Sequence, residues 1–218
     1  MKECCIFDLD GTLTNTVNTL AYFVNSTFAK YGLCEIEAER FKYLAGDGAR
    51  NLIRRSLAIC VDEWTQEFED TLLYEYNTAY DNDFLRNCVV YDGVREMLST
   101  LKAKNIKLAV LTNKPQVTAV KVVEAFFEKG FFDVILGQQA GLPLKPNPEG
   151  VFRIISELGV KPENCVYVGD TATDMKTGKN AKLFTVGLLW GFREREELEA
   201  NKADVIIEKP NELLRFFN

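Results

Sequence analysis

The chain has 218 residues, with 26 Lys and Arg against 32 Asp and Glu, a net charge of −6, and no histidine. The acidic balance argues against a nucleic-acid partner, which calls for a basic face. The missing imidazole excludes a Ser-His-Asp triad, a Cys-His pair and any metal site that needs histidine, so chemistry must come from carboxylates, lysine and hydroxyls.

Residues 2–8 (KECCIFD) read as an apolar strand that runs straight into Asp8 and Asp10. This apolar stretch is too short for a signal peptide. No apolar run approaches the roughly 18 residues a membrane helix needs. The expectation is a cytoplasmic protein with no membrane partner. Residues 15–85 then read as helix throughout: NTLAYFVNSTFAKYG, GARNLIRRSLAIC and an acidic stretch. That segment holds 6 basic and 12 acidic residues, and eight of the acids fall in residues 62–83, which have no Lys or Arg. The remainder is balanced, 20 against 20 (26 − 6 and 32 − 12).

After Leu85 the pattern alternates. GVREMLSTLKAKN (93–105) has helical spacing, with Val94, Met97, Leu98 and Leu101 on one face. IKLAVLT (106–112) is a strand. Residues 115–130 form a helix opened by Pro115 and closed on Gly130. DVILG (133–137) is a strand, 147–159 a helix, NCVYVGD (164–170) a strand and 171–181 a helix. LFTVGLL (183–189) and DVII (204–207) complete the series. Strands alternating with helices predict an α/β protein: a Rossmann-like, doubly wound parallel sheet. The predicted core is 1–14 with 86–218, and 15–85 is an inserted all-helical domain. The six cysteines, Cys4, Cys5, Cys34, Cys60, Cys88 and Cys165, are scattered and form no C-x-x-C pair. They are expected to be reduced thiols without a disulfide framework or a zinc site.

In open α/β sheets ligands bind beyond the carboxyl ends of the strands. Those ends carry Asp8 and Asp10; Thr112, Asn113 and Lys114; Lys145 in the loop GLPLKPNPE; and Asp170 with Asp174 one helical turn on. Two carboxylates about 4 Å apart repel by roughly 4 kcal/mol at an effective dielectric of 20. Several carboxylates without imidazole suit a hard cation, usually Mg²⁺, which keeps positions open for phosphate oxygens. An inward Lys145, the Thr112 hydroxyl and backbone N–H groups of the Gly11–Thr12 turn would suit a phosphate group.

DLDGT (8–12), Thr112 in LTNK, Lys145 in KPNPE and GDTATD (169–174) resemble, in order and spacing across the chain, the four motifs of the haloacid dehalogenase-like hydrolase superfamily. The helical insertion would be its cap. The resemblance implies that Asp8 is the nucleophile that forms an aspartyl-phosphate. Asp10 would protonate the leaving alkoxide and then activate water. Asp8, the backbone carbonyl of Asp10 and Asp170 would hold Mg²⁺, with Asp174 close by. Thr112 and Lys145 would orient the phosphate, with Gly11, Thr12 and Asn113 as further binding residues. The second aspartate favours phosphate chemistry over dehalogenation.

LAGDGARNLIRRSL (44–57), YDGV (91–94), Trp190-Gly191 and the tail ADVIIEKPNELL are similar to segments of the phosphoglycolate phosphatase-like subgroup. Gly46 and Gly48 permit unusual backbone angles. Gly48 and Arg50 are therefore candidates to meet the far end of a small phosphorylated metabolite, such as the carboxylate of 2-phosphoglycolate, while the plainer reading is that Arg50, Arg54 and Arg55 pair with acids of the insertion on its surface. One departure is Asn15, where members often carry aspartate. A sugar phosphomutase or an inorganic pyrophosphatase of the same superfamily is the alternative, and a catalytically silent binding module is a third reading. The expected assembly is a monomer or weak dimer.

Overall fold

The sheet begins with β1 (Cys4–Phe7), whose four apolar side chains are all buried, as residues 2–217 are described in a computed structural model. β1 pairs in parallel with β4 (Lys107–Pro115) on one side and with β6 (Cys165–Gly169) on the other. β5 (Val134–Gln138) lies beyond β4, and β7 (Phe184–Leu188) and β8 (Val205–Ile207) lie beyond β6, giving the order β5-β4-β1-β6-β7-β8. Strands covered on both faces read as continuous apolar runs, which is why CCIF and CVYVG show no alternation. β1 sits where the chain, having built outward to β5, returns to build β6. Ligands bind at such a switch point.

The helices follow their apolar spacing. α5 (Val94–Ala103) buries Val94, Met97, Leu98 and Leu101. α7 (Glu149–Leu158) buries Val151, Ile154 and Ile155 and stops at Gly159, whose φ of 65° only glycine adopts cheaply. α8 (Ala172–Asn180) follows β6. β4 runs three residues past the predicted end, because Asn113, Lys114 and Pro115 continue the strand beyond Thr112. α6 (Gln116–Phe126) stops before Gly130, and Phe127, Phe131 and Phe132 leave it to stack on one another with ring centroids 5.4–5.8 Å apart. The short α9 (Arg195–Ala200) and a terminal 3-10 turn at Pro210–Phe217 were not expected from periodicity.

The chain divides into two compact units. One runs to Asn15 and resumes at Val90; the other is Thr16–Val89. The return point lies a few residues beyond the predicted Leu85 because Arg86 belongs to the helical unit, where its carbonyl accepts from Thr19 Oγ1 at 2.8 Å. β2 (Thr14–Asn15) and β3 (Val89–Val90) form a separate two-stranded sheet. No helix among the described residues is long and apolar enough to cross a membrane.

The helical unit comprises α1 (Val17–Ala29), α2 (Phe41–Leu44), α3 (Ala49–Cys60) and α4 (Gln66–Asn82), around a core that includes Phe28, Phe41, Leu57 and Leu72. α4 is started by Thr65, whose hydroxyl accepts from Phe68 N, with Glu67 and Glu69 in the first turn. Cys34 and Cys60 correct the reduced-thiol expectation: they form a disulfide. They lie 26 residues apart in sequence, but their Cα atoms stand 5.4 Å apart, a proximity that spacing alone does not show. The remaining cysteines, Cys4, Cys5, Cys88 and Cys165, are buried and not disulfide-bonded.

Glu69 is a buried carboxylate (2% exposed) that accepts from Arg54 Nε and Nη2, Trp64 Nε1 and Arg50 Nη1 at 2.9–3.1 Å. The Arg54 hydrogen bonds hold its acid form down to about 2. A depressed acid contributes stability above its ordinary value of 4.5, and that contribution is lost as pH falls toward 2. Glu69→Ala is expected to destabilise the helical unit by about 2 kcal/mol at neutral pH. Denaturant unfolding followed by Trp64 fluorescence reads this, and an unchanged midpoint would contradict it.

Candidate active site

The carboxyl ends of β1, β4 and β6 are brought side by side by the register Phe7↔Val110 and Phe7↔Val168. Asp8, Asp170 and Asp174 therefore meet, each offering a carboxylate oxygen within 4.8 Å of the others, and all three are buried. Lys145, whose side chain is 3% exposed, reaches in from the loop after β5 and pairs with Asp8 Oδ1 at 2.8 Å and Asp174 Oδ1 at 2.7 Å. Burial alone would drive the proton off Lys145, but Asp174 and Asp8 outweigh it and hold the ammonium well above its ordinary value. Burial also pushes the Asp8 acid up to about 7, opposed by Lys145 and reinforced by the Asp174 charge. Burial, then the Asp174 and Asp8 charges, raise Asp170.

Each acid is held by named donors. Asp174 closes the capping box of α8: its Oδ2 accepts from Thr171 N and from Thr171 Oγ1 at 2.7 Å. Tyr167 OH donates to Asp174 Oδ1 at 3.4 Å. Asp170 Oδ1 accepts from Thr12 Oγ1 and its Oδ2 from Phe192 N, both at 2.8 Å. Glu197 of α9 accepts from Ala172 N at the start of α8.

Asp10 is set apart from this cluster. Its carboxylate accepts both ways from Lys114 Nζ, at 2.9 and 3.0 Å. The two aspartates of DLD thus face different partners, which separates their electrostatic environments. Thr112 Oγ1 is buried at the end of β4 and accepts from Lys114 N.

Three expectations change in detail. Gly11 and Thr12 were expected to offer backbone N–H groups to a phosphate, but the turn closes on itself: Gly11 N donates to Thr14 O at 2.8 Å and Thr12 N to Leu9 O at 3.3 Å. Gly11 (φ 88°) is instead required because a Cβ there would collide with the Asp170 carboxylate. Asn113 clasps the Lys145 backbone, accepting from Lys145 N at 2.8 Å and donating to Lys145 O at 3.3 Å, so it positions that lysine. In the helical unit Gly48 (φ 89°) precedes α3, and Arg50 is paired with Glu69 and with Asp70 at 2.6 Å. Arg54 and Arg55 likewise pair with Glu69 and Asp47.

The donor set fits a divalent cation. Three oxygen-donating carboxylates and one ammonium sum to −2 when ionised, and neither nitrogen nor sulfur ligands are present in the cluster. Lys145 compensates Asp8 and Asp174, whereas among the described residues Asp170 accepts from the neutral donors Thr12 and Phe192.

Sequence reasoning gave no role to Lys114, Tyr167, Trp190 or the Phe192 amide. Lys114 was visible as the third residue of TNK, and Trp190 as half of the Trp-Gly pair. A single strand tyrosine and a backbone N–H carry no sequence signal.

A sequence model of the haloacid dehalogenase-like hydrolase family matches residues 5–188. The chain is 32% identical to a phosphoglycolate phosphatase of Pasteurella multocida, over 93% of this chain and 92% of the relative. It is 30% identical to a phosphoglycolate phosphatase of Colwellia psychrerythraea over 98% of this chain and 96% of that one. A crystal structure from Lactobacillus delbrueckii subsp. bulgaricus, named provisionally as a phosphoglycolate phosphatase, superposes with a TM-score of 0.94 at 28% identity, covering 100% and 99% of the two chains. Asp8, Lys145, Asp170 and Asp174 meet in one acidic site, and the chain belongs to the haloacid dehalogenase-like hydrolase family.

Proposed function

We propose that the chain is a Mg²⁺-dependent phosphomonoesterase that works through an aspartyl-phosphate on Asp8, with 2-phosphoglycolate or a similar small phosphorylated acid as substrate. The observation that carries this is the split of the DLD pair. Asp8 lies in the buried cluster against Lys145, and Asp10 lies outside it against Lys114. The different partners support a reading in which one carboxylate attacks and the other moves protons.

Asp8 Oδ attacks phosphorus, and the bond to the ester oxygen breaks. That oxygen leaves with a proton from the Asp10 carboxyl. Asp10, now a carboxylate, takes a proton from water, whose oxygen attacks phosphorus and breaks the Asp8–phosphorus bond. Inorganic phosphate and free Asp8 result. Lys145 and the Thr112 hydroxyl hold the equatorial oxygens where charge develops. Asp8, Asp170 and Asp174, with the Asp10 carbonyl, would hold Mg²⁺, which when bound supplies charge neutralisation for the phosphoryl group.

The substrate name comes from the relatives, which are phosphoglycolate phosphatases. The Arg50 guanidinium is already paired with Glu69 and Asp70, so only the glycine-flanked loop supports its reaching a substrate carboxylate. Four buried cysteines outside any disulfide suit a reducing cytoplasm, whereas the Cys34–Cys60 disulfide runs against it. The proposed assembly is a monomer or weak dimer, with neither nucleic acid nor membrane as partner.

A panel of phosphorylated metabolites assayed with MgCl₂ and with EDTA tests the reading. Phosphate release from 2-phosphoglycolate is expected with Mg²⁺ and to vanish in EDTA. Hydrolysis unaffected by EDTA would refute the metal, and release only from pyrophosphate would refute the substrate class. The pH sign is also set. Asp8 is raised from 3.8 to about 7, so the metal-free fold loses stability as Asp8 ionises over that window. A bound cation offsets that loss. The rise in Tm on adding MgCl₂ is therefore expected to be larger at pH 8 than at pH 5.

A further inference from the structure

Trp190, Gly191 and Phe192 leave β7 and touch both halves of the acidic site. Trp190 Nε1 donates to Thr12 O at 3.0 Å. Thr12 Oγ1 donates to Asp170 Oδ1 at 2.8 Å. Phe192 N donates to Asp170 Oδ2 at 2.8 Å. Gly191 lies between them, so close that a Cβ on it would strike Asp170 Cβ and the Gly11 carbonyl. The four residues Trp190, Thr12, Asp170 and Phe192 thus form a closed hydrogen-bonded ring, whose last link is the peptide chain itself. Both oxygens of Asp170 are engaged by this ring.

We propose that Trp190 is a positioning residue for the metal site. Its indole N–H fixes the Thr12 peptide, Thr12 and Phe192 then fix the plane of the Asp170 carboxylate, and Asp170 is presented to the cation in one orientation. The inference rests on the reading of Asp8, Asp170 and Asp174 as the Mg²⁺ ligands. Lys145 pairs directly with Asp8 and with Asp174, the other two acids of the cluster. Asp170 takes its orientation from neutral donors, so it depends most on a rigid second layer. Partners that orient a metal ligand change its affinity for the ion by about tenfold or more when removed.

The test is Mg²⁺ binding by titration calorimetry to the wild type, Trp190→Phe, Thr12→Val and the double variant. Phenylalanine keeps the ring and loses the N–H. Trp190→Phe is expected to weaken Mg²⁺ binding about tenfold. Residues that act through one ring are not additive, so the double variant should be little weaker than Thr12→Val alone. In steady-state assays of Trp190→Phe the Mg²⁺ concentration for half-maximal rate should rise by the same factor, with kcat at saturating Mg²⁺ close to wild type. Wild-type Mg²⁺ affinity in a folded Trp190→Phe, or full additivity with Thr12→Val, overturns the proposal. If Trp190→Phe fails to fold, the indole N–H resonance of Trp190 in the wild-type protein decides. It is assigned by elimination with Trp64→Phe, and it should shift on adding MgCl₂ alone; no shift overturns the proposal. If the wild type itself binds no Mg²⁺, it is the reading of the metal site that fails, and the inference falls with it.

Discussion

Asp8→Asn is expected to lower kcat on any phosphomonoester substrate by on the order of 10⁴-fold or more, since it removes the nucleophile and leaves only binding and charge stabilisation. Its effect on stability has the opposite sign. Burial and the Asp174 charge make ionised Asp8 costly in the metal-free fold, despite its 2.8 Å contact with Lys145. Asparagine keeps the shape and removes the charge. At pH 8 without metal the variant should match or exceed the wild-type Tm, and the stabilisation by MgCl₂ should shrink because a ligand is gone. Activity that is lost without loss of fold is the pattern of a site held in tension for function. Retained turnover would remove Asp8 from the mechanism. Lost turnover together with unfolding would show that the Asp8–Lys145 pair is structural first.

Lys145→Met should damage both stability and rate. The ammonium lies 2.8 Å from Asp8 and 2.7 Å from Asp174, and its side chain is 3% exposed. Its loss leaves two buried carboxylates facing each other. Breaking a buried charge pair by removing one partner costs about 3–5 kcal/mol. Protonation of Asp8 relieves part of this, so the deficit should be smaller at pH 5 than at pH 8. The rate should fall by about 10²–10³ from the lost charge on the phosphoryl oxygens. Arginine is not a conservative replacement here, because its planar fork does not fit a point-charge position between two carboxylates. Denaturant midpoints at the two pH values, with kcat at saturating Mg²⁺, read both effects; an unchanged midpoint at pH 8 contradicts the electrostatic picture.

The meeting of Asp8, Asp170 and Asp174 was legible in the sequence because polar residues at the ends of apolar strands are conspicuous and a parallel sheet forces those ends together, and Lys145 joins them from the loop after β5. The parallel sheet follows from the alternation of strand and helix, but its strand order does not. What the sequence hid depends on contacts across long separations. Phe192 N meets Asp170 through a backbone amide, which has no side-chain signature. Lys114 reaches Asp10 only because β4 continues through its polar end, a run that hydropathy reads as a loop. The self-closed Gly11–Thr12 turn took away the amides that the motif suggested for phosphate, and showed Gly11 to be required by Asp170 instead. Cys34 and Cys60 are joined by the packing of the helical unit, not by any spacing rule. The arginines after Gly48 admitted two readings in sequence, a ligand site or pairing with acids of the insertion, and the structure has the pairs: Arg50 and Arg54 surround Glu69, and Arg55 pairs with Asp47.

The covalent step can be observed directly. Rapid mixing of the enzyme with Mg²⁺ and 2-phosphoglycolate, followed by acid quench, proteolysis and mass spectrometry, should show a transient phosphoryl adduct on the peptide that contains Asp8. The adduct should be absent in Asp8→Asn and should decay as inorganic phosphate appears. Multiple turnovers with no protein-bound phosphoryl group at any time point, or an adduct on a different residue, would contradict the assignment.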